Sequence, residues 1–397
     1  MISRIYLCFV LLFSLPTFAF ATGTFEDWKT DFYKIAQQKG ISHKSYNAVM
    51  KSVTNPDPSV IKKANYQPEF TTKIWDYLDA RVTPLSIAKG QKLAIQYKDV
   101  LDTIERQSGV DRNIILAIWS MESNYGAVLQ KKDRLHYVPR ALATLAYQDK
   151  KRAKFARNQL LALLEMVENK NVQPEQLMGS WAGAMGYTQF IPTSYKAYGK
   201  SIDGEPGVDI WNSIPDALAT AANLLSQNGW RTGKTWGYEV IVPKTVFSLS
   251  NETKLIQNWQ KIGIHRTLGR QFSSPQEKAI LKTLGGDSGP GFLAIKNFFV
   301  IKKYNNSDYY ALAVGLLADQ IAGYQPLQQK WSRPVGSLSL EEKYEVQRLL
   351  KQKGHYQGVI DGNIGGGSRS AIKIFQKSKN LPINGIANQT LLFQLKK

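Results

Sequence analysis

Gly109-Val-Asp-Arg-Asn-Ile-Ile-Leu-Ala-Ile-Trp-Ser-Met-Glu-Ser-Asn-Tyr-Gly126 is the stretch on which the reading of this 397-residue chain turns. Asp111 is a residue type that caps a helix, and the apolar run behind it has helical spacing. Ile115, Ile118 and Glu122 fall at i, i+3 and i+7, which puts Glu122 on the apolar stripe. A carboxyl there loses hydration and its pKa should rise. That is the condition for an acid that keeps its proton near neutral pH and then donates it. The competing reading is a glutamate at the rim of the stripe that reaches water, as most helical glutamates do. Gly126 ends the helix at once, and Asn124 and Tyr125 add polar and aromatic groups suited to a sugar.

A second stretch, Gly179-Ser-Trp-Ala-Gly-Ala-Met-Gly-Tyr-Thr-Gln-Phe-Ile-Pro192, combines three glycines with two aromatic side chains, Trp181 and Tyr187, ahead of Phe190. It would let backbone approach a ligand and present Ser180 and Gln189 as hydrogen-bonding groups. It reads equally well as a tightly packed helix junction. Outward from these two stretches the patterns stay helical from Phe25 to about Gly323: Phe25–Ala36, Lys89–Gln107, a long run Pro139–Lys170, and Asp216–Asn228 ended by Gly229. β-like runs appear at Tyr238–Pro243 and at Phe298-Phe-Val-Ile-Lys302. The predicted fold class is mainly α with a small β element.

Lys330-Trp-Ser-Arg-Pro-Val-Gly336 has Pro and Gly and no periodicity, so residues 328–336 read as a linker after a unit spanning 24–327. From residue 337 to 397 a small three-helix module follows. Ser339 and Glu342 make a capping box, and Gly354 is a helix stop. Val359-Ile-Asp-Gly362 and Pro382-Ile-Asn-Gly385 form a weak internal repeat, each a tight turn leading to an apolar helix. Roughly 60 residues is near the lower limit for independent folding. The module reads as a binding appendage, with an inert cap as the alternative.

Residues 1–21 read as a signal peptide: Arg4, the apolar run Ile5–Phe13, Pro16, then Ala19-Phe-Ala21 before the cleavage point. The run is too short for a membrane span, and no other segment is apolar enough for one. Cys8, the single cysteine, lies inside it and lacks the setting of a lipid-attachment site, so the mature chain would carry no thiol, disulfide or cysteine metal site. The net charge of +20 becomes +19 without Arg4. Such a charge seeks polyanions, among them nucleic acid, membrane surfaces and acidic polymers. Export argues against nucleic acid as the natural partner, and cell-wall polymers carry free peptide carboxylates. Lysine enrichment for solubility alone also satisfies the composition.

Glu122-Ser-Asn-Tyr-Gly126 followed by Gly179–Pro192 resembles the membrane-bound lytic murein transglycosylase B family. Tyr304-Asn-Asn-Ser-Asp-Tyr-Tyr-Ala-Leu-Ala-Val-Gly315 resembles that family's third block, and the likeness runs from about Phe25 to Gly323. Gly358-Val-Ile-Asp-Gly-Asn-Ile-Gly365, then Ser368, Ala371-Ile372 and Phe375-Gln376, resembles a small peptidoglycan-binding domain, with Ser368 where Thr is usual. The resemblance implies a lysozyme-like helical fold, periplasmic residence, no cofactor, and peptidoglycan glycan strands as partner. Proteins of wall synthesis or turnover are further candidate partners. It implies non-hydrolytic cleavage between N-acetylmuramic acid and N-acetylglucosamine with Glu122 as acid and then base. It implies substrate contacts at Ser180, Gln189, Tyr304, Asn305 and Tyr310, and a basic pair at Lys151-Arg152. Read as residues alone, Tyr304 and Tyr310 are also core aromatics and Lys151-Arg152 a solvated helix face.

An ordinary glycosidase needs two carboxyl groups. No second acid recurs in the matched blocks, and Asp133 and Glu165 stand as candidates that only a structure can position. Ser201–Trp211 occupies the place of the family's calcium loop. Asp203, Glu205 and Asp209 offer oxygens, but Ser201 and Pro206 depart from the pattern, and the stretch reads as a polar turn without a metal. His43, His136, His265 and His355 are scattered and suggest no zinc site. A hydrolytic muramidase and a non-catalytic wall-binding protein are the alternatives. A nucleic-acid binder rests on charge alone.

Overall fold

The computed structural model describes residues 23–65, 72–204, 207–287 and 289–397. The signal-peptide reading, Glu205 and Pro206 fall outside them. The chain is mainly helical, as the sequence pattern leads one to expect, with a two-stranded and a five-stranded sheet among the described residues; only Gly237–Ile241 of these strands matches a β-like run of the sequence. No helix among the described residues is long and apolar enough to cross a membrane.

The helix Arg112–Ser123 is the axis of the large unit. Asp111 caps it, its carboxylate accepting the Asn113 N–H at 2.7 Å. Ile114 through Trp119 are all buried, so the helix is enclosed on every side rather than amphipathic. The helices Pro84–Gln96, Lys98–Ser108, Ile214–Gln227 and Asp308–Ile321 pack around it. The stripe argument for Glu122 therefore carries less than it promised. What brings Glu122 out of the core is its place in the last helical turn, where the helix emerges.

Three stretches fold differently from the sequence reading. The long Pro139–Lys170 run is two helices, Val138–Gln148 and Ala153–Glu168, packed back to back across a corner at Asp149–Arg152. Asp149 makes the corner: its carboxylate accepts the backbone N–H groups of Lys151 and Arg152 and pairs with the Arg152 guanidinium. Lys89–Gln107 likewise breaks at Tyr97 into two helices. The β-like run at Phe298–Lys302 lies inside the helix Lys296–Tyr304, with Phe298 and Ile301 on one buried face at helical spacing. Buried Asn297 fixes that helix, accepting from Arg231 N–H and donating to the Arg231 and Lys234 carbonyls. A short apolar run does not separate strand from helix, and here the tertiary contacts decide.

The sheet is antiparallel, in the order Thr253–Leu255, Lys278–Lys282, Gly291–Ala294, Gly237–Ile241, His265–Arg266. Strand Gly291–Ala294 has both faces covered. Phe292 and Ala294 join the helical core, while Leu293 joins a second cluster with Trp259, Leu281 and Val240. The sheet is thus cemented to the helical unit through one strand.

In the C-terminal module the weak repeat has a physical basis. The Gln347 carbonyl accepts the Asp361 and Gly362 N–H groups, and its amide donates to Asp361 Oδ1. Gln376 does the same with Asn384 and Gly385. The linker's Arg333 donates to both Asp79 oxygens at 2.8 Å and to the Leu338 carbonyl, and the module's Lys343 pairs with Asp76 and Asp79, which latches the module to the large unit. The segment between them is held down too, since Glu239 accepts the backbone N–H groups of Gln328 and Gln329.

Candidate active site

Glu122 is half-buried, one residue from the end of its helix. Beyond it the backbone enters the left-handed region for three residues running, at Asn124 (φ 50°), Tyr125 (φ 54°) and Gly126 (φ 83°). Two of those carry side chains, which is costly and persists only where neighbours fix the chain. Ser123, 0% exposed, is the chief fixture. Its hydroxyl donates to the Tyr187 carbonyl at 2.6 Å and accepts the Gly126 N–H at 2.9 Å. Tyr125 donates to the Ser86 carbonyl, and Trp119 meets Tyr125 and Tyr187 edge-on. Lys89 Nζ reaches the Asn124 carbonyl at 3.3 Å and sits near the Tyr125 ring. A cation there offsets the negative end of the helix dipole beside Glu122.

The Gly179–Pro192 stretch is the partner of this turn, and both of its sequence readings have a share in the outcome. Its glycines answer to packing. A Cβ on Gly186 (φ 72°) would stand 2.4 Å from the Ile210 carbonyl oxygen, and one on Gly179 would stand 2.2 Å from that of Ala184. Ser180 serves its own turn, its hydroxyl accepting the Ala184 N–H at 3.0 Å. Gln189 has φ 53° and donates to the Gly186 carbonyl. The same loop nonetheless reaches the Glu122 turn through the Ser123–Tyr187 bond.

Two tyrosines come from far along the chain. Tyr310, 3% exposed, donates its O–H to Glu122 Oε1 at 2.6 Å, and Tyr304 donates to the Thr188 carbonyl at 2.6 Å. Their rings stack at 6.4 Å with 10° between planes. Burial first, and the Glu122 charge second, raise both phenols well above their ordinary pKa, so both keep their protons as donors. The Tyr310 bond stabilises the ionised form of Glu122. The structure therefore brings Glu122, Tyr304 and Tyr310 together. The Gly179–Pro192 loop borders Tyr304 through Thr188 and Phe190, with Gln189 between them, while Ser180 serves its own turn. Asn305 is exposed at the end of the Tyr304 helix. Lys151 is exposed at the corner described above. The Arg152 guanidinium is engaged by Asp149 and by the Ala64 carbonyl at 3.0 Å.

The carboxylates raised as possible second acids have other settings. Glu165 pairs with Lys196, and Asp133 is exposed on a single 3-10 turn. Asp308, two residues before Tyr310, is pushed up by burial, but Lys282 and Lys302 outweigh this and hold it below its ordinary pKa. In the Ser201–Trp211 loop, Asp203 accepts from Ser201, and Asp209 caps its own turn through Trp211 and Asn212 N–H. Among the described residues no group of three or more His, Cys, Asp or Glu could hold a metal. Asp216, buried, is what ties this loop together, accepting from Ile202 and Asp209 N–H. The sequence reading missed it, along with Ser123, Lys89 and Tyr187. Of these, only Ser123 and Tyr187 stood inside the quoted motifs.

Residues 24–319 match the transglycosylase SLT domain and residues 340–395 a peptidoglycan binding domain. The chain is 30% identical over 283 residues to the membrane-bound lytic murein transglycosylase B of Escherichia coli (strain K12), covering 70% of this chain and 75% of that one. The crystal structure of SltB3 from Pseudomonas aeruginosa in complex with NAG-NAM-pentapeptide superposes with a TM-score of 0.74. It is 39% identical and covers 94% of this chain and 99% of that chain. The same protein with NAG-anhNAM-pentapeptide gives 0.73 at 38% identity, covering 94% and 100%.

Proposed function

This chain belongs to the lytic murein transglycosylases, lyases of peptidoglycan, and on that premise we propose that Glu122 is their lone acid and base in this protein. Glu122 protonates the glycosidic oxygen as the bond from C1 of N-acetylmuramic acid breaks, and N-acetylglucosamine leaves with that proton. The carboxylate then takes the proton of the muramic C6 hydroxyl, whose oxygen bonds to C1 and closes a 1,6-anhydro ring. No water is consumed, so no second carboxylate is needed. The observation that carries the reading is the Tyr310 O–H on Glu122 Oε1 at 2.6 Å. It stabilises the carboxylate left after the first transfer, which is the base for the second. The ion-paired state of Glu165 and Asp308 supports the solitude of Glu122. The anhNAM compound held by SltB3 supports the product assignment.

Ser180, Gln189, Tyr304, Asn305 and Tyr310 would line the saccharide path, with Lys151 and Arg152 toward stem carboxylates. Residues 24–327 form the catalytic unit, 328–336 the linker and 337–397 the wall-binding module. Residues 1–21 direct export to the periplasm. Mass spectrometry of digested murein tests the reaction: 1,6-anhydromuramic ends are expected, and exclusively reducing ends would make the enzyme a muramidase. Glu122→Gln, which can neither give nor take the proton, should abolish muropeptide release while leaving the melting temperature within a few degrees.

A further inference from the structure

The helix that carries Glu122 has a cavity at its other end. Asp111, its N-cap, borders a cavity of about 800 Å³ between the helical unit and the sheet. Asp111 and Glu122 are eleven positions apart, about 16 Å at the helical rise. Its lining contains none of residues 122–126, so it is distinct from the Glu122 turn. Its floor combines Trp236 with the carboxyl of Asp319, which accepts the Trp236 indole N–H at 3.1 Å. Thr232 and Ser273 bring hydroxyls, and Arg266 lies over the Tyr238 ring at 4.7 Å. Trp236 and Tyr238 are core rings that back the cavity, and the exposed ring that lines it is Tyr324. An accessible ring beside hydroxyl and carboxyl groups suits a pyranose, which offers an apolar C–H face and a hydroxyl-rich edge.

The rim carries the more telling observation. Leu268 has φ 60° and is 61% exposed, and Tyr324 is 65% exposed. A leucine held in the left-handed region without burial has neither backbone nor packing in its favour. Such a residue is expected where it meets something outside the chain. Arg266 lines the same cavity, lying over Tyr238 and donating one N–H to the Gln271 carbonyl, and its guanidinium suits the carboxylates that muramyl peptides carry.

We propose that this cavity is a second peptidoglycan site on the catalytic unit, which holds an amino-sugar segment of the glycan strand without cutting it. The proposal rests on peptidoglycan being the substrate, but not on the anhydro chemistry of Glu122. It would keep the enzyme on its polymer while another segment occupies the Glu122 turn.

Hydrogen exchange on the full chain carrying Glu122→Gln tests it, with a GlcNAc–MurNAc-peptide tetrasaccharide at millimolar concentration as the probe. Slowed exchange is expected at residues 230–235 and 266–270 as well as at 122–126. Adding Leu268→Gly and Tyr324→Ala should abolish the first two protections and leave the third. Both residues are exposed, and Gly relieves the left-handed strain at 268, so the melting temperature should not fall. Protection at 122–126 with none at 230–235 and 266–270 overturns this proposal alone. Protection at both regions together with exclusively reducing ends from the wild type overturns only the anhydro reading. Cavity protection that survives Leu268→Gly and Tyr324→Ala overturns the role given to the rim.

Discussion

Tyr310→Phe is the sharpest test of how the site works. The substitution removes one oxygen from a side chain that is 3% exposed and leaves its ring, and the stack on Tyr304, in place. The bond lost is a phenol donating to a carboxylate at 2.6 Å, a charge-assisted bond. Such bonds contribute about 1.5–3 kcal/mol. The bond is strongest when Glu122 is ionised, so its loss falls on the state reached as the proton leaves. At 1.36 kcal/mol per decade, turnover should drop roughly ten- to hundred-fold, with KM little changed. Tyr304→Phe is the control. Its O–H goes to the neutral Thr188 carbonyl, a bond contributing about 0.5–1.5 kcal/mol, so the drop should be several-fold. The assay is release of soluble muropeptides from purified sacculi, with kcat and KM from a defined muropeptide and melting curves for both variants. A Tyr310→Phe enzyme within two-fold of wild type, or a reversed order of the two variants, would refute the role given to this bond.

Ser123→Ala strands the Tyr187 carbonyl and the Gly126 N–H, at about 1–3 kcal/mol each, and should lower both the melting temperature and kcat; calorimetry with no loss would show that the two loops are held otherwise. Burial pushes Asp319 up to about 7 from 3.8, so between about pH 4 and 7 the folded chain holds a proton that the unfolded chain has released. Stability from this group is present below about pH 4 and falls as pH rises to 7, by up to about 4 kcal/mol. Asp319→Asn, which can still accept the Trp236 N–H, should therefore gain on wild type in melting temperature as pH rises through that window, and a pH-independent difference would be inconsistent with it. Asp79→Asn breaks a largely buried latch with Arg333 and Lys343, a loss on the order of 3–5 kcal/mol at the interface. Trypsin should then cut faster at Lys330 and Arg333, and an unchanged rate would show that the module is held by other contacts.

What could be read from the sequence, and what could not, follows from how far each interaction reaches along the chain. The Asp111 cap, the turn at Gly126 and the capping box at Ser339 are local, and each stands where residue chemistry put it. The Glu122 helix and Ile214–Gln227 were legible for the same reason, whereas the break at Tyr97 and the helix Asp308–Ile321 were not. The corner at Asp149 was not, because every residue from Pro139 to Lys170 is compatible with a helix and the break comes from one carboxylate folding back on two N–H groups. Phe298–Lys302 misled because its apolar residues are buried by the sheet and by neighbouring helices, and local propensity yields to that. The site shows the limit most clearly. Glu122 stands in a local motif, but its donor lies 188 residues away. Nothing in the spacing around Tyr310 sets it apart from the core aromatics; family resemblance named it, and only the fold supplies the hydrogen bond. That bond also changes the physics assigned to Glu122. An apolar stripe would favour the neutral acid alone, whereas a buried phenol on the same carboxyl stabilises the anion. In the role proposed for Glu122, donating a proton and then accepting one, the two forms must be kept close in energy, and the two influences of opposite sign come from segments that no local reading connects.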